Sequence, residues 1–244
     1  MLKLEHVSWS LPDGTGILKD INLTIGAGSL AVVTGPNGGG KTTLAKLIAG
    51  IETPTAGRIL FGGVDITNMD ITSRAKLGVA YAFQQPVRFK GLTVRDMLEL
   101  AFSGSGRCET LCDAALCALL EKVGLCAEEY IEREMNASLS GGEIKRIEIA
   151  TVLARKARLS VFDEPEAGID LWSFSRLVET FEGLRKGNAG TLMIISHQER
   201  ILSIADEIIV IADGKCRLFG RGSDVLPKLL GDEKKSRCPL GKDF

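Results

Sequence analysis

Apolar and polar residues alternate through LKLEHVSWSL, Leu2 to Leu11, and again through ILKDINLTI, Ile17 to Ile25. A period of two predicts two half-buried strands, with DGTG turning between them and GAG at Gly26–Gly28 breaking the second. SLAVVTG, Ser29 to Gly35, is a short apolar run that reads as a strand covered on both faces. The period then changes. In KTTLAKLIAGI, Leu44, Leu47, Ile48 and Ile51 share one helical face, and TPTAG is expected to end that helix. RILFGGVDIT reads as a further strand and turn.

From about Thr93 to about Arg158 the spacing is helical. TVRDMLELAF starts at Thr93, a good N-cap residue. ETLCDAALCALLEKVGL places Leu111, Ala115, Leu119 and Val123 on one face, with Gly124 as its stop, and GGEIKRIEIATVLARKA gives a third helix. Beyond it RLSVFDE, DLWSFSRLVETFEGLRKG, TLMIISH, QERILSIA and EIIVIADG alternate strand with helix, which implies a parallel sheet with crossover helices. The expected layout is an α/β core from residues 1–84 and 159–230, its N-terminal part β-rich, with a helical insertion at 85–158 and a polar tail at 231–244.

Charge and composition narrow the function. The formal net charge is −1, so no global field draws the chain to nucleic acid or anionic lipid. Aromatic residues make up only 5% and few neighbour basic ones, so no base-stacking surface is expected. The longest apolar runs, such as EIIVIA, are strand-sized, and MLKLEHVSWS lacks the apolar stretch of a secretory signal. A cytoplasmic protein is expected, without direct membrane insertion; any membrane role would come through a partner. The six cysteines (Cys108, Cys112, Cys117, Cys126, Cys216, Cys238) include no C-x-x-C pair, and small semi-buried helix residues are expected of the cluster at 108–117 in preference to metal ligands.

The chemistry concentrates in three segments. GPNGGGKTT fits G-x-x-x-x-G-K-[ST] between a predicted strand and a predicted helix. Gly35, Pro36, Asn37, Gly38, Gly39 and Gly40 can wrap backbone N–H groups around a phosphate chain. Lys41 then sets a cation against the β- and γ-phosphates, Thr42 offers its hydroxyl to Mg²⁺, and Thr43 continues the helix start. A chance Lys-Thr in a glycine-rich turn would explain the letters, not the flanking strand and helix. LSVFDEPEAGID crowds Asp163, Glu164, Glu166 and Asp170 after a buried strand. Ligands of open α/β sheets gather at that strand end, so Asp163 is expected to hold Mg²⁺ and Glu164 to polarise the attacking water. LSGGE opens the third helix, where Ser140, Gly141 and Gly142 make a second anion site. One nucleotide does not need two such sites, which points to a second copy's ATP.

Together GPNGGGKTT, AFQQP, LSGGE, LSVFDE, EAGID and ISH resemble, in order and over nearly the whole chain, the nucleotide-binding domains of ATP-binding cassette (ABC) ATPases. The resemblance implies a P-loop NTPase cassette: a RecA-like mixed sheet, an antiparallel β subdomain and an inserted helical subdomain. It implies a dimer clamping two ATP and Mg²⁺. Gln84 would be the Q-loop residue on the metal, Ser140 to Gly142 the signature over the opposing γ-phosphate, Asp170 the D-loop aspartate, and His197 the switch histidine. Within the family, Leu11 in place of an adenine-stacking aromatic, Glu143, Glu148 and Glu166, AFQQPV and SHQERIL resemble SufC-type ATPases of iron–sulfur cluster assembly, whereas Glu164–Pro165 is transporter-like. This implies a SufB/SufD-like scaffold as partner. The competing expectations are the ATP-binding subunit of a membrane transporter, and a stand-alone ATP switch for nucleic-acid repair or translation, against which the near-neutral charge stands.

Overall fold

The computed structural model describes residues 1–103, 112–136, 138–187 and 190–236. Its described strands divide between two sheets. β1 (Leu2–Ser10) pairs antiparallel with β2 (Gly16–Ile25) and with β4 (Ala56–Phe61), and β5 (Val64–Asp65) closes that four-stranded sheet in the order β2-β1-β4-β5. The larger sheet runs β10-β9-β3-β8-β7-β6, from β3 (Leu30–Thr34), β6 (Val79–Ala82), β7 (Leu159–Asp163), β8 (Thr191–Ile195), β9 (Glu207–Ala212) and β10 (Lys215–Arg221). All its pairings are parallel except the β9–β10 hairpin. The expected mixed sheet with an antiparallel N-terminal sheet is therefore present.

Strand alternation separates the two faces of the large sheet. In β3, Ala31 and Val33 pack with α1 (Lys41–Ala49) and the inner residues of β1 and β2, while Leu30 and Val32 face the opposite layer. That second layer contains α3 (Val94–Ser103), α4 (Asp113–Lys122), α6 (Gly141–Ala154) and α7 (Leu171–Lys186). Buried residues of the segment expected as an insertion, among them Leu98, Leu116 and Ile147, thus share one core with the sheet. The shorter helices α2 (Ile71–Lys76), α5 (Ala127–Tyr130) and α8 (Glu199–Ser203) lie in the connections between these elements, and α9 (Gly222–Ser236) follows the last strand.

Several details differ from the sequence reading. α1 stops at Ala49 with Gly50 in the left-handed region, before TPTAG, so Ile51 lies outside the helix. The buried face of α4 is Leu116, Leu119 and Leu120; Leu111 lies outside the described residues and Ala115 is half-buried. The tail at 231–244 continues α9 to Ser236, and residues 237–244 lie outside the description, as do Cys108 and Cys238. Cys112, at the start of α4, and Cys117 are exposed where semi-buried helix residues were expected, because neither belongs to that apolar face; Cys126, before α5, is exposed as well. Thr93 does cap α3, its hydroxyl accepting from Asp96 N at 3.1 Å. Among the described residues no helix is long and apolar enough to cross a membrane.

Candidate active site

β3 delivers the chain to Gly35, which has φ 130. A Cβ there would stand 2.1 Å from the Ile211 carbonyl oxygen of β9, so only glycine lets the loop leave the sheet at this point. The loop then curls back over β2, and Gly39 O accepts from Gly214 N in the β9–β10 turn at 3.2 Å. Lys41, the first residue of α1, is buried and donates through Nζ to the carbonyls of Gly35 and Pro36, both at 2.8 Å. Burial pulls its pKa below the ordinary lysine value, opposed by the facing carboxylates of Glu164 and Asp163.

Asp163 ends β7 with no exposed surface. Its Oδ1 accepts from Thr42 Oγ1 at 3.2 Å and its Oδ2 from Tyr81 OH at 2.9 Å. Burial raises its pKa, and the two hydroxyl donors oppose that rise. A hydroxyl and a carboxylate side by side, next to a lysine, are hard oxygen donors of the kind Mg²⁺ takes alongside a nucleotide's phosphates, so these residues fit the metal expected of them. Glu164 follows in the left-handed region, φ 46, a costly conformation for a non-glycine residue and common at functional sites. Its Oε2 accepts from Gln84 Nε2 at 2.8 Å. Gln84 thus contacts the candidate water-polarising acid and lines the same cavity as Thr42.

Trp9, Leu11, Ile17, Asn37, Gly38, Gly40, Lys41, Thr42, Thr43, Gln84 and Glu164 together line a cavity of about 470 Å³. Ser140, Gly141, Gly142, Asp170 and His197 do not line it. Ser140 instead caps α6 in a capping box: its Oγ accepts from Glu143 N at 3.2 Å, and its N–H donates to Glu143 Oε2 at 2.6 Å. Tyr130 OH also donates to Glu143, and this bond holds the Glu143 pKa below the usual carboxylate range. Asp170 caps α7, accepting from Trp172 N at 3.1 Å and Ser173 N at 3.0 Å. His197 is exposed just beyond β8. Gly142 touches the loop before Asp170: a Cβ on it would meet Gly168 O at 2.5 Å. The signature turn and the loop of Asp170 therefore form one exposed unit, separate from the phosphate loop of the same chain.

Two acids that could have been surface residues are interior. Glu148 Oε1 accepts from Phe83 N at 2.8 Å, and its Oε2 lies 3.4 Å from Lys145 Nζ. Glu166 Oε1 accepts from Ser196 Oγ at 2.6 Å. Burial raises both pKa values. Lys145 and Tyr81 were missed in the sequence. Lys145 has no exposed surface and donates to Phe83 O, to Gln84 O and to Asp163 O, so one ammonium ties the signature helix to the Q-loop and to the end of β7. The signal for it was there: α6 is apolar on almost every side, which marks a buried helix and carries its Lys and Glu inside.

The sequence profile of the ABC transporter family matches residues 18–167. The chain is 37% identical over 225 residues to an uncharacterized ABC transporter ATP-binding protein, MJ0035 of Methanocaldococcus jannaschii, covering 91% of this chain and 88% of that one. It is 31% identical over 233 residues to the lipopolysaccharide export system ATP-binding protein LptB of Escherichia coli K12, covering 95% and 93%. The dimeric structure of MJ0796, a bacterial ABC transporter cassette, superposes with a TM-score of 0.82 at 23% identity, over 91% of this chain and 98% of that chain, which shows the shared fold.

Proposed function

The chain belongs to the ABC transporter family and is an ATPase of that family, and from that premise we propose that two copies close on two ATP molecules to drive a partner protein. The observation that carries this reading is the split of the site. Lys41, Thr42 and Glu164 line one cavity, with the buried Asp163 bonded to Thr42, while Ser140 to Gly142 and the Asp170 loop present a helix N-terminus on a separate exposed unit. In a head-to-tail pair, the second unit of one copy would complete the cavity of the other.

Each residue then has a task. The loop from Gly35 to Thr43 wraps the phosphates, and Lys41 exchanges its loop carbonyls for phosphate oxygens. Thr42 and Asp163 would hold Mg²⁺, which when bound would supply charge neutralisation of the phosphates. Glu164 orients the attacking water, Gln84 reports the state of Glu164 to the partner surface, and His197 meets the γ-phosphate from the end of β8. Catalysis is positioning and electrostatics. Glu164→Gln is expected to keep ATP affinity, lower turnover by roughly 10²-fold or more, and accumulate an ATP-dependent dimer on a sizing column. Wild-type turnover in that variant would remove Glu164 from its role.

The partner surface would be the exposed apolar residues that flank Gln84 in the chain: Phe83, Val87 and Phe89. The names of MJ0035 and LptB support a membrane-embedded transport component as the occupant, with this chain as its ATP-binding subunit. A second reading, an assembly ATPase on a SufB/SufD-like scaffold, keeps support from one observation. Glu148 and Glu166, two of the residues that resemble the SufC-type branch, are wired to the Q-loop and to the end of β8 instead of lying on the surface. Purifying the native complex without detergent and with it separates the two: the first reading requires a multi-span partner, the second a water-soluble one.

A further inference from the structure

Tyr81 is half-buried in β6 and makes two kinds of contact. Its ring packs with the core on the α1 face of the sheet and meets Phe83 edge-on at 4.9 Å. Its hydroxyl donates to Asp163 Oδ2 at 2.9 Å. The register explains the second contact. Tyr81 lies opposite Val161 on the neighbouring parallel strand, and side chains two apart share a face, so Asp163 is its diagonal neighbour within reach of a long side chain. A phenylalanine would supply the packing equally well, so the oxygen is the part that calls for an explanation.

Asp163 has two carboxylate oxygens and no exposed surface. One faces Thr42, the other faces Tyr81. We propose that Tyr81 is a positioning residue for magnesium: its hydroxyl fixes the Asp163 carboxylate so that the oxygen beside Thr42 is presented to the metal of the bound nucleotide. The inference deepens the nucleotide-site reading above and rests on it. The hydroxyl stays a donor, since burial and the adjacent carboxylate both disfavour its ionisation. Groups that hydrogen-bond a metal-binding carboxylate set its orientation, and their removal commonly lowers metal affinity by about 10–100-fold.

The test is Tyr81→Phe, which keeps the ring and its packing and removes one oxygen. The dissociation constant of a non-hydrolysable ATP analogue is measured by calorimetry in excess Mg²⁺ and again in EDTA. The ratio of the two constants is the magnesium contribution to binding. The expected result is a ratio about tenfold smaller than wild type, with the constant in EDTA changed by less than about twofold and the thermal midpoint close to wild type. A ratio equal to wild type would overturn the proposal. So would an equal loss of affinity in both buffers, because that would make Tyr81 a support of the phosphate loop itself. If wild-type protein shows no magnesium contribution at all, the assignment of Thr42 and Asp163 fails and this inference fails with it.

Discussion

Replacing Lys145 by Met should be among the most damaging single changes outside the cavity. The methionine fills much the same volume, so packing is largely kept, and what is lost is the ion pair with Glu148 together with the bonds to the carbonyls of Phe83, Gln84 and Asp163. The Lys145 and Glu148 side chains are 1% and 14% exposed, and the ammonium at 3.4 Å is the one partner of Glu148 Oε2, which is buried without a hydrogen bond. Removing one member of a buried pair costs about 3–5 kcal/mol, because the other charge is left uncompensated. Glu148 Oε1 keeps its bond from Phe83 N, so the lower end of that range, about 3 kcal/mol, applies. For a chain of 244 residues each kcal/mol moves the thermal midpoint by roughly 2–4 °C, which gives a fall of about 6–12 °C. Urea unfolding followed by circular dichroism supplies the free energy. The double variant Lys145→Met with Glu148→Leu should recover at least half of the loss, since an apolar replacement of a buried pair is often neutral. A single-variant loss below about 1 kcal/mol, or a double variant no more stable than the single, would refute the claim that this pair holds the Q-loop to the signature helix.

Leu11→Tyr should tighten ATP binding by about tenfold, given that stacking a base on an aromatic ring contributes about 1–3 kcal/mol. The affinity for inorganic triphosphate should not change, and an unchanged ATP constant would mean that the base lies away from Leu11. The folded state holds the Glu143 pKa down, chiefly through Tyr130, so its contribution to stability is present above the ordinary carboxylate pKa and disappears as pH falls through the lowered one. Melting curves of Glu143→Gln and wild type should therefore differ at pH 7 and converge in acid; a constant gap would contradict the assignment.

The phosphate loop and the acids after β7 were legible because their chemistry is local. A strand, a loop of fixed length and a helix start bring Gly35 through Thr43 together whatever the rest of the chain does, and Asp163 needs only to end its strand. What depends on register between distant segments was not legible. Tyr81 stands in a strand of four residues, Val79–Ala82, too short to show a period, and its meaning comes from lying beside β7. The partners of Lys145, the carbonyls of Phe83, Gln84 and Asp163, come from distant segments that only the fold brings to it. Gln84 was singled out by its motif, and the residue it bonds, Glu164, is eighty residues on, a pairing that only the fold brings about.

The contact between Gly142 and the carbonyl of Gly168 has a mechanical implication. With no room for a single methyl group between them, the start of α6 and the turn ahead of α7 cannot come any closer. If nucleotide pushed either one toward the other, both would have to move together, like the two arms of a lever. A pair of such levers facing in opposite directions would make the two halves of a closed assembly open and shut in step.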